Sequence, residues 1–114
     1  MPEDHVLTEA ELQTALAELE GWEVHEGWLR RTFHTPSFAH TMLLVQTIGY
    51  LAEAAYHHPD LRTGYAFVTV LLQTHRVKAI TWSDIELARK INEVVLWKPP
   101  PGAALPGNPK KWVH

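Results

Sequence analysis

Residues 53–84 read EAAYHHPDLRTGYAFVTVLLQTHRVKAITWSD, and this segment sets how the rest of the chain is arranged. Residues 38–56, which lead into it, are apolar enough and long enough for a buried helix. Gln46, Tyr50, Glu53 and His57 fall at i, i+4, i+7 and i+11, one face of that helix. Pro59 cannot continue it, and the residue before a proline is pushed toward extended geometry. His57 is thus expected to point with the helix face, while His58 turns with the new chain direction. Tyr65 to His75 reads as a strand. Tyr65, Phe67, Thr69, Leu71, Gln73 and His75 lie on one face, and Ala66, Val68, Val70, Leu72 and Thr74 on the other. A helix end with two histidines and a strand end with a third can together wall a small pocket. An unperturbed imidazole titrates at about 6.5, which suits proton transfer near neutral pH.

The flanking sequence supplies the remaining elements. Thr8-x-x-Glu11 is a capping box, Leu7 and Leu12 make a hydrophobic staple, and Leu12, Ala15, Leu16 and Leu19 form a buried stripe that Gly21 ends. Trp22 and Val24 alternate with Glu23 and His25 as a short strand. Glu26-Gly27 is a turn, and Trp28 to His34 is a second strand. Arg31 sits between Leu29 and Phe33 and is expected to snorkel, with its stem on apolar surface. His25, His34 and His40 are expected at the surface. Ser37 is the N-cap of the long helix, whose core face is expected to be Phe38, Met42, Val45, Ile48, Leu51 and Ala52. Asp60 to Arg62 is a short strand, and Thr63-Gly64 a bend. Phe67 and Leu71 make one strand face unusually apolar, which fits either a subunit contact or a crevice with two stray apolar residues. Thr81 caps the last helix, with Asp84 at its third position and Ile80 stapled on Ile85. Ile85, Ala88, Ile91 and Val95 are its buried stripe. Asp84 therefore has either a capping role or a direct role in the chemistry.

The predicted fold is α+β, in the order α-β-β-α-β-β-α, with a four-stranded antiparallel sheet carrying three helices on one face. Residues 1–97 form the domain, and the proline-rich residues 98–114 (KPPPGAALPGNPKKWVH) form a tail that Trp112 and Val113 can anchor.

Composition narrows the function. The chain has 114 residues, enough for one domain, and no cysteine, which removes disulfides and thiolate chemistry and fits a cytoplasmic location. The formal net charge is −3 with scattered basic residues, so direct nucleic-acid binding is not expected. No uninterrupted apolar run reaches membrane-spanning length, and the acidic start MPEDHVLTEAE is not a signal peptide.

The spacing Glu53-x3-His57-His58-Pro59-x5-Tyr65-x9-His75-x8-Asp84 resembles the signature of the pterin-4a-carbinolamine dehydratases. Trp22, the Leu29-x-Arg31-x-Phe33 run and Ser37-Phe38 extend the resemblance over roughly residues 8–96. Tyr56 departs from the acidic residue frequent there, Leu61 from an aromatic, and Ala79 from glycine. The resemblance implies the same α+β fold and a homo-oligomer, dimer or tetramer. It also implies dehydration of a 4a-hydroxytetrahydropterin, left by an aromatic amino-acid hydroxylase, to quinonoid dihydropterin and water without metal or redox cofactor. His57, His58 and His75 are the implied catalytic residues. His58 is the acid for the departing hydroxyl, and either His57 or His75 takes the ring proton. Glu53 either orients an imidazole or binds the amino-pyrimidine edge, and Asp84 and Thr74 are further orienting residues.

Two other readings fit the same residues. Three histidines and two carboxylates are potential zinc or iron ligands, although adjacent histidines rarely reach one ion together. A non-catalytic module, binding a pterin or a partner protein as a transcriptional cofactor or assembly factor, would keep the pocket and use the Phe67–Leu71 face.

Overall fold

The sheet is built around the β4 strand, Phe67–Leu72, in the computed structural model, which describes residues 5–114. It pairs antiparallel with β2 (Trp28–His34) on one side and β3 (Asp60–Thr63) on the other, and β1 (Glu23–His25) completes the order β1-β2-β4-β3. Helices α1 (Glu9–Ala17), α2 (Phe38–Ala55) and α3 (Trp82–Val95) complete the expected α-β-β-α-β-β-α succession. Register places Leu29 opposite Leu72, Arg31 opposite Val70 and Phe33 opposite Val68, with Leu61 beyond Val70. This alternation aims one face at the helices, where Ile48, Ile85, Ile91 and Leu19 close the core.

Local signals in the sequence account for most boundaries. The Thr8–Glu11 and Thr81–Asp84 capping boxes both form, and Ser37 caps α2 through the His40 amide. Glu26 and Gly27 both take positive φ between β1 and β2, the geometry that matches hairpin twist. Among the described residues, no helix is long and apolar enough to cross a membrane.

Several expectations are corrected. The strand expected over Tyr65–His75 is regular only from Phe67 to Leu72. Beyond it Thr74 makes an isolated bridge to Ala79, and His75 lies in the turn between them. Of the expected core face of α2, Ile48 and Ala52 are buried and Val45 and Leu51 pack partly buried against the core; Thr41 and Leu44 complete that side, while Phe38 is half-exposed and Met42 only partly buried. This helix is apolar nearly all round, so periodicity alone does not choose its inner face. On the outer sheet face, Leu71 is 7% exposed between the registered Arg30 and Asp60, and Phe67 is 37% exposed and folds over Gly64. That face is therefore less open than its composition implies.

Arg31 does not snorkel to solvent. It is buried, lies 4.5 Å over the Phe33 ring, and donates to Asn92 Oδ1 at 3.0 Å and to the Glu20 carbonyl. Asn92 Oδ1 also accepts from Trp22 Nε1 at 2.9 Å, and Asn92 Nδ2 donates to the Glu20 carbonyl at 3.1 Å. Gly21, at φ +84°, leaves room for the guanidinium, because a Cβ there would come within 2.5 Å of Arg31 Cζ. One buried cation thus joins the end of α1, β2 and α3. Burial pulls its pKa down from the ordinary arginine value, opposed by the Glu20 charge.

Segment 98–114 lacks regular structure, but its last residues are docked. Val113 joins the core, and His34 and His114 exchange N–H···O hydrogen bonds, each 3.1 Å. His25 and His34 are exposed as expected. His40 is not at the open surface: it is partly buried, with its ring 4.6 Å from that of Trp112. Burial holds His40 below the ordinary histidine value of about 6.5. As pH falls through that value the unfolded chain takes the proton first, so the stability this docking contributes is full above it and declines below. Deleting residues 112–114 is expected to cost about 2–4 kcal/mol in urea unfolding. It should also return the His40 ring, followed by NMR, toward ordinary titration.

Candidate functional site

His57 and His58 owe their positions to the way α2 ends. Tyr56 adopts a left-handed conformation, φ +53°, and closes the helix before Pro59 is reached. The His57 amide bonds back to the Ala52 carbonyl at 3.1 Å and the Tyr56 amide to the Glu53 carbonyl at 3.2 Å, a Schellman ending. His57 consequently lies just past the helix and not on its face, and the αL residue, not the proline, ends the helix. The non-glycine αL residue costs about 1 kcal/mol, and Tyr56 packs its ring edge-on to His58 at 5.7 Å.

The third ring comes from the other end of β4. The Thr74–Ala79 bridge closes a tight turn, with the Thr74 amide on the Ala79 carbonyl at 2.9 Å and Lys78 at φ +50°. His75 is presented from that turn. His57, His58 and His75 all line one open cavity of about 830 Å³, with Thr74 beside them. Leu51, Ala54 and Ala55 of α2 form one wall of it, and Ser83, Glu86, Leu87 and Lys90 of α3 another. Its size is that of a small-molecule site.

The two adjacent histidines have different partners. His57 Nε2 lies 2.6 Å from Asp84 Oδ1, with the imidazole 18% exposed and the carboxylate fully buried. Asp84 Oδ2 accepts from the Thr74 hydroxyl and from the Thr81 amide, both at 2.9 Å. Because Thr74 donates to the carboxylate, the 2.7 Å contact between Thr74 and Thr81 hydroxyls must be donated by Thr81. Thr81 Oγ1 in turn accepts from the Ser83 amide at 3.3 Å. An ionised carboxylate only accepts, so Nε2 of His57 carries the shared proton, and Nδ1 is left as the free ring nitrogen. Asp84 therefore caps α3 and also holds His57.

His58 Nε2 lies 2.5 Å from Glu53 Oε2, but this pair is in solvent: the imidazole is 50% exposed and the carboxylate 76%. Screening leaves such a pair with little stabilising effect. Glu53 contacts His58 and is not among the residues lining the cavity. Among the described residues, no group of three histidine or carboxylate side chains is placed to hold a metal ion; the geometry is two separate pairs.

A sequence model described as "Pterin 4 alpha carbinolamine dehydratase" matches residues 5–94. The chain belongs to the pterin-4a-carbinolamine dehydratase family. Its relatives include a "Putative pterin-4-alpha-carbinolamine dehydratase" of Aquifex aeolicus, 42% identical over 78% of this chain and 90% of that protein. One of the same name from Roseiflexus castenholzii is 38% identical over 79% and 97%. A crystal structure titled transcriptional coactivator/pterin dehydratase, from Brucella melitensis, superposes with TM-score 0.74 at 33% identity, covering 78% of this chain and 97% of that one. A pterin dehydratase-like RuBisCO assembly factor of the alpha-carboxysome shares the fold alone, at TM-score 0.53 and 18% identity over 63% and 83%.

Within this family member, sequence reasoning did not find the Thr81 hydroxyl or the α3 wall. The signal was present: with Asp84 in the site, helical spacing places Ser83, Glu86, Leu87 and Lys90 on a shared stripe. Asp84→Asn is expected to lower stability by about 2–3 kcal/mol, as one buried charge-assisted acceptor is lost. The same substitution should alter the His57 tautomer read from ¹⁵N shifts; a destabilised variant with an unaltered His57 ring would mean that Asp84 serves the cap alone.

Proposed function

We propose that this protein dehydrates a 4a-hydroxytetrahydropterin to the quinonoid dihydropterin, with its own imidazoles as acid and base. One observation carries the reading: three histidines line one cavity, one backed by a buried carboxylate and one half in solvent. Hydroxide is a poor leaving group, so the C4a–O bond needs a proton delivered as it breaks. His58 is exposed, held by Glu53, and able to recharge from water, which suits the acid. The oxygen leaves as water, and His58 is left neutral. The neighbouring ring nitrogen must lose its proton, and His57 Nδ1 is the suitable acceptor, because Asp84 stabilises the charge that His57 acquires. Proton exchange with solvent then resets both rings. His75, also in the cavity lining, closes the cavity and positions the ring.

A second reading is favoured by the exposed aromatic pair Phe38 and Tyr65, 5.8 Å apart, and by the coactivator wording of the Brucella title. In it, the chain binds a pterin without turning it over and presents this surface to a partner protein. A homo-oligomer, a functional link to an aromatic amino-acid hydroxylase, and a division into a domain (1–97) and a tail (98–114) belong to the same proposal.

The deciding assay compares dehydration of enzymatically generated carbinolamine with its spontaneous rate. Acceleration supports the enzyme; pterin binding without acceleration supports the module. His58→Ala should lower kcat about 10²–10⁴-fold while dihydropterin affinity changes far less. Equal losses in both would make His58 a binding group and remove it as the acid.

A further inference from the structure

We infer that Glu86, on α3, is the specificity-determining residue that reads the amino-pyrimidine edge of the substrate. This inference rests on the pterin reading above and assigns an orientation within the same cavity. Binding that edge was one of two roles open to Glu53, but it is engaged by His58 at 2.5 Å and lies outside the lining. Among the described residues lining the cavity, Glu86 is the only carboxylate. No hydrogen bond or ion pair occupies it among the described residues, whereas Lys90, one turn further along, is held by Glu93 at 3.2 Å.

The chemistry fits a carboxylate. A 2-amino-4-oxo-pyrimidine presents a ring N–H and an exocyclic amine side by side, two parallel donors. A carboxylate accepts both at once, as it accepts the fork of a guanidinium. A planar ring also needs flat apolar walls, and Leu51, Ala54, Ala55 and Leu87 supply them. The position of Glu86 is fixed relative to the proton carriers. Asp84 anchors the first turn of α3 to His57, and Glu86 lies two residues beyond it on the same helix. The histidine end of the cavity then meets the reacting carbon, and the α3 wall fixes which way the bicyclic ring enters.

The test uses the full chain, with binding of 7,8-dihydropterin compared with a 2-deamino analogue that lacks the exocyclic donors. The unsubstituted protein should favour dihydropterin by about 10- to 100-fold, and Glu86→Ala should abolish that preference. Glu86→Ala should also raise KM for the carbinolamine much more than it lowers kcat, with Glu86→Gln intermediate. Glu86 is exposed, so a circular-dichroism spectrum like that of the parent is expected to accompany these changes. A preference that survives in Glu86→Ala, or that is lost only in Glu53→Gln, overturns the assignment while leaving the dehydratase reading in place. A parent protein that neither binds dihydropterin nor accelerates dehydration overturns both.

Discussion

The 2.6 Å contact between His57 and the fully buried Asp84 is the constraint on which the rest of the site depends. A buried carboxylate is tolerated only when its lone pairs are met, and here an imidazole, a threonine hydroxyl and a backbone amide meet them. The three donors come from the end of α2, from Thr74 just beyond β4 and from the cap of α3. Satisfying one charge therefore fixes the two segments that carry the histidines relative to each other and to the start of α3. The hydroxyls of Thr74 and Thr81 extend the network, and their hydrogen-bond directions follow from the acceptor-only character of the carboxylate.

A second buried polar node does for the far end of the sheet what Asp84 does near the cavity. Arg31, Asn92, Trp22 and the Glu20 carbonyl join the end of α1, β2 and α3. α3 is thus fastened at its first turn by a carboxylate and in its last turns by an amide side chain. Its cavity-facing stripe is held by two polar anchors and by the apolar contacts of Ile85, Ala88 and Ile91.

Much of this was legible in the sequence because the signals are local. Capping boxes, the Glu26-Gly27 turn, the period-two strand over Val68, Val70 and Leu72 and the stripe of α3 all depend on residues a few positions apart. The convergence of His57, His58 and His75 was legible through the spacing of the family signature. What was not legible depends on tertiary context. The inner face of α2 could not be chosen from a helix that is apolar all round. The end of that helix was assigned to Pro59, whereas Tyr56 ends it through a conformation that tyrosine seldom adopts. Arg31 was expected to snorkel because its partners, Glu20 and Asn92, are remote from it or offer only a carbonyl. His40 was placed outside because the residue that covers it, Trp112, is more than seventy positions away.

The solvent-exposed pair of Glu53 and His58 has an evolutionary consequence. Removing Asp84 would unsettle both a helix start and the junction of three elements, so the fold itself needs it. His58 and Glu53 carry no such obligation, since nothing in the interior leans on them. Under the acid role proposed for His58, a lineage released from the need for turnover would be free to lose these two first. It would still retain the buried pair and an intact pocket, and so drift from catalyst to scaffold without passing through an unfolded intermediate.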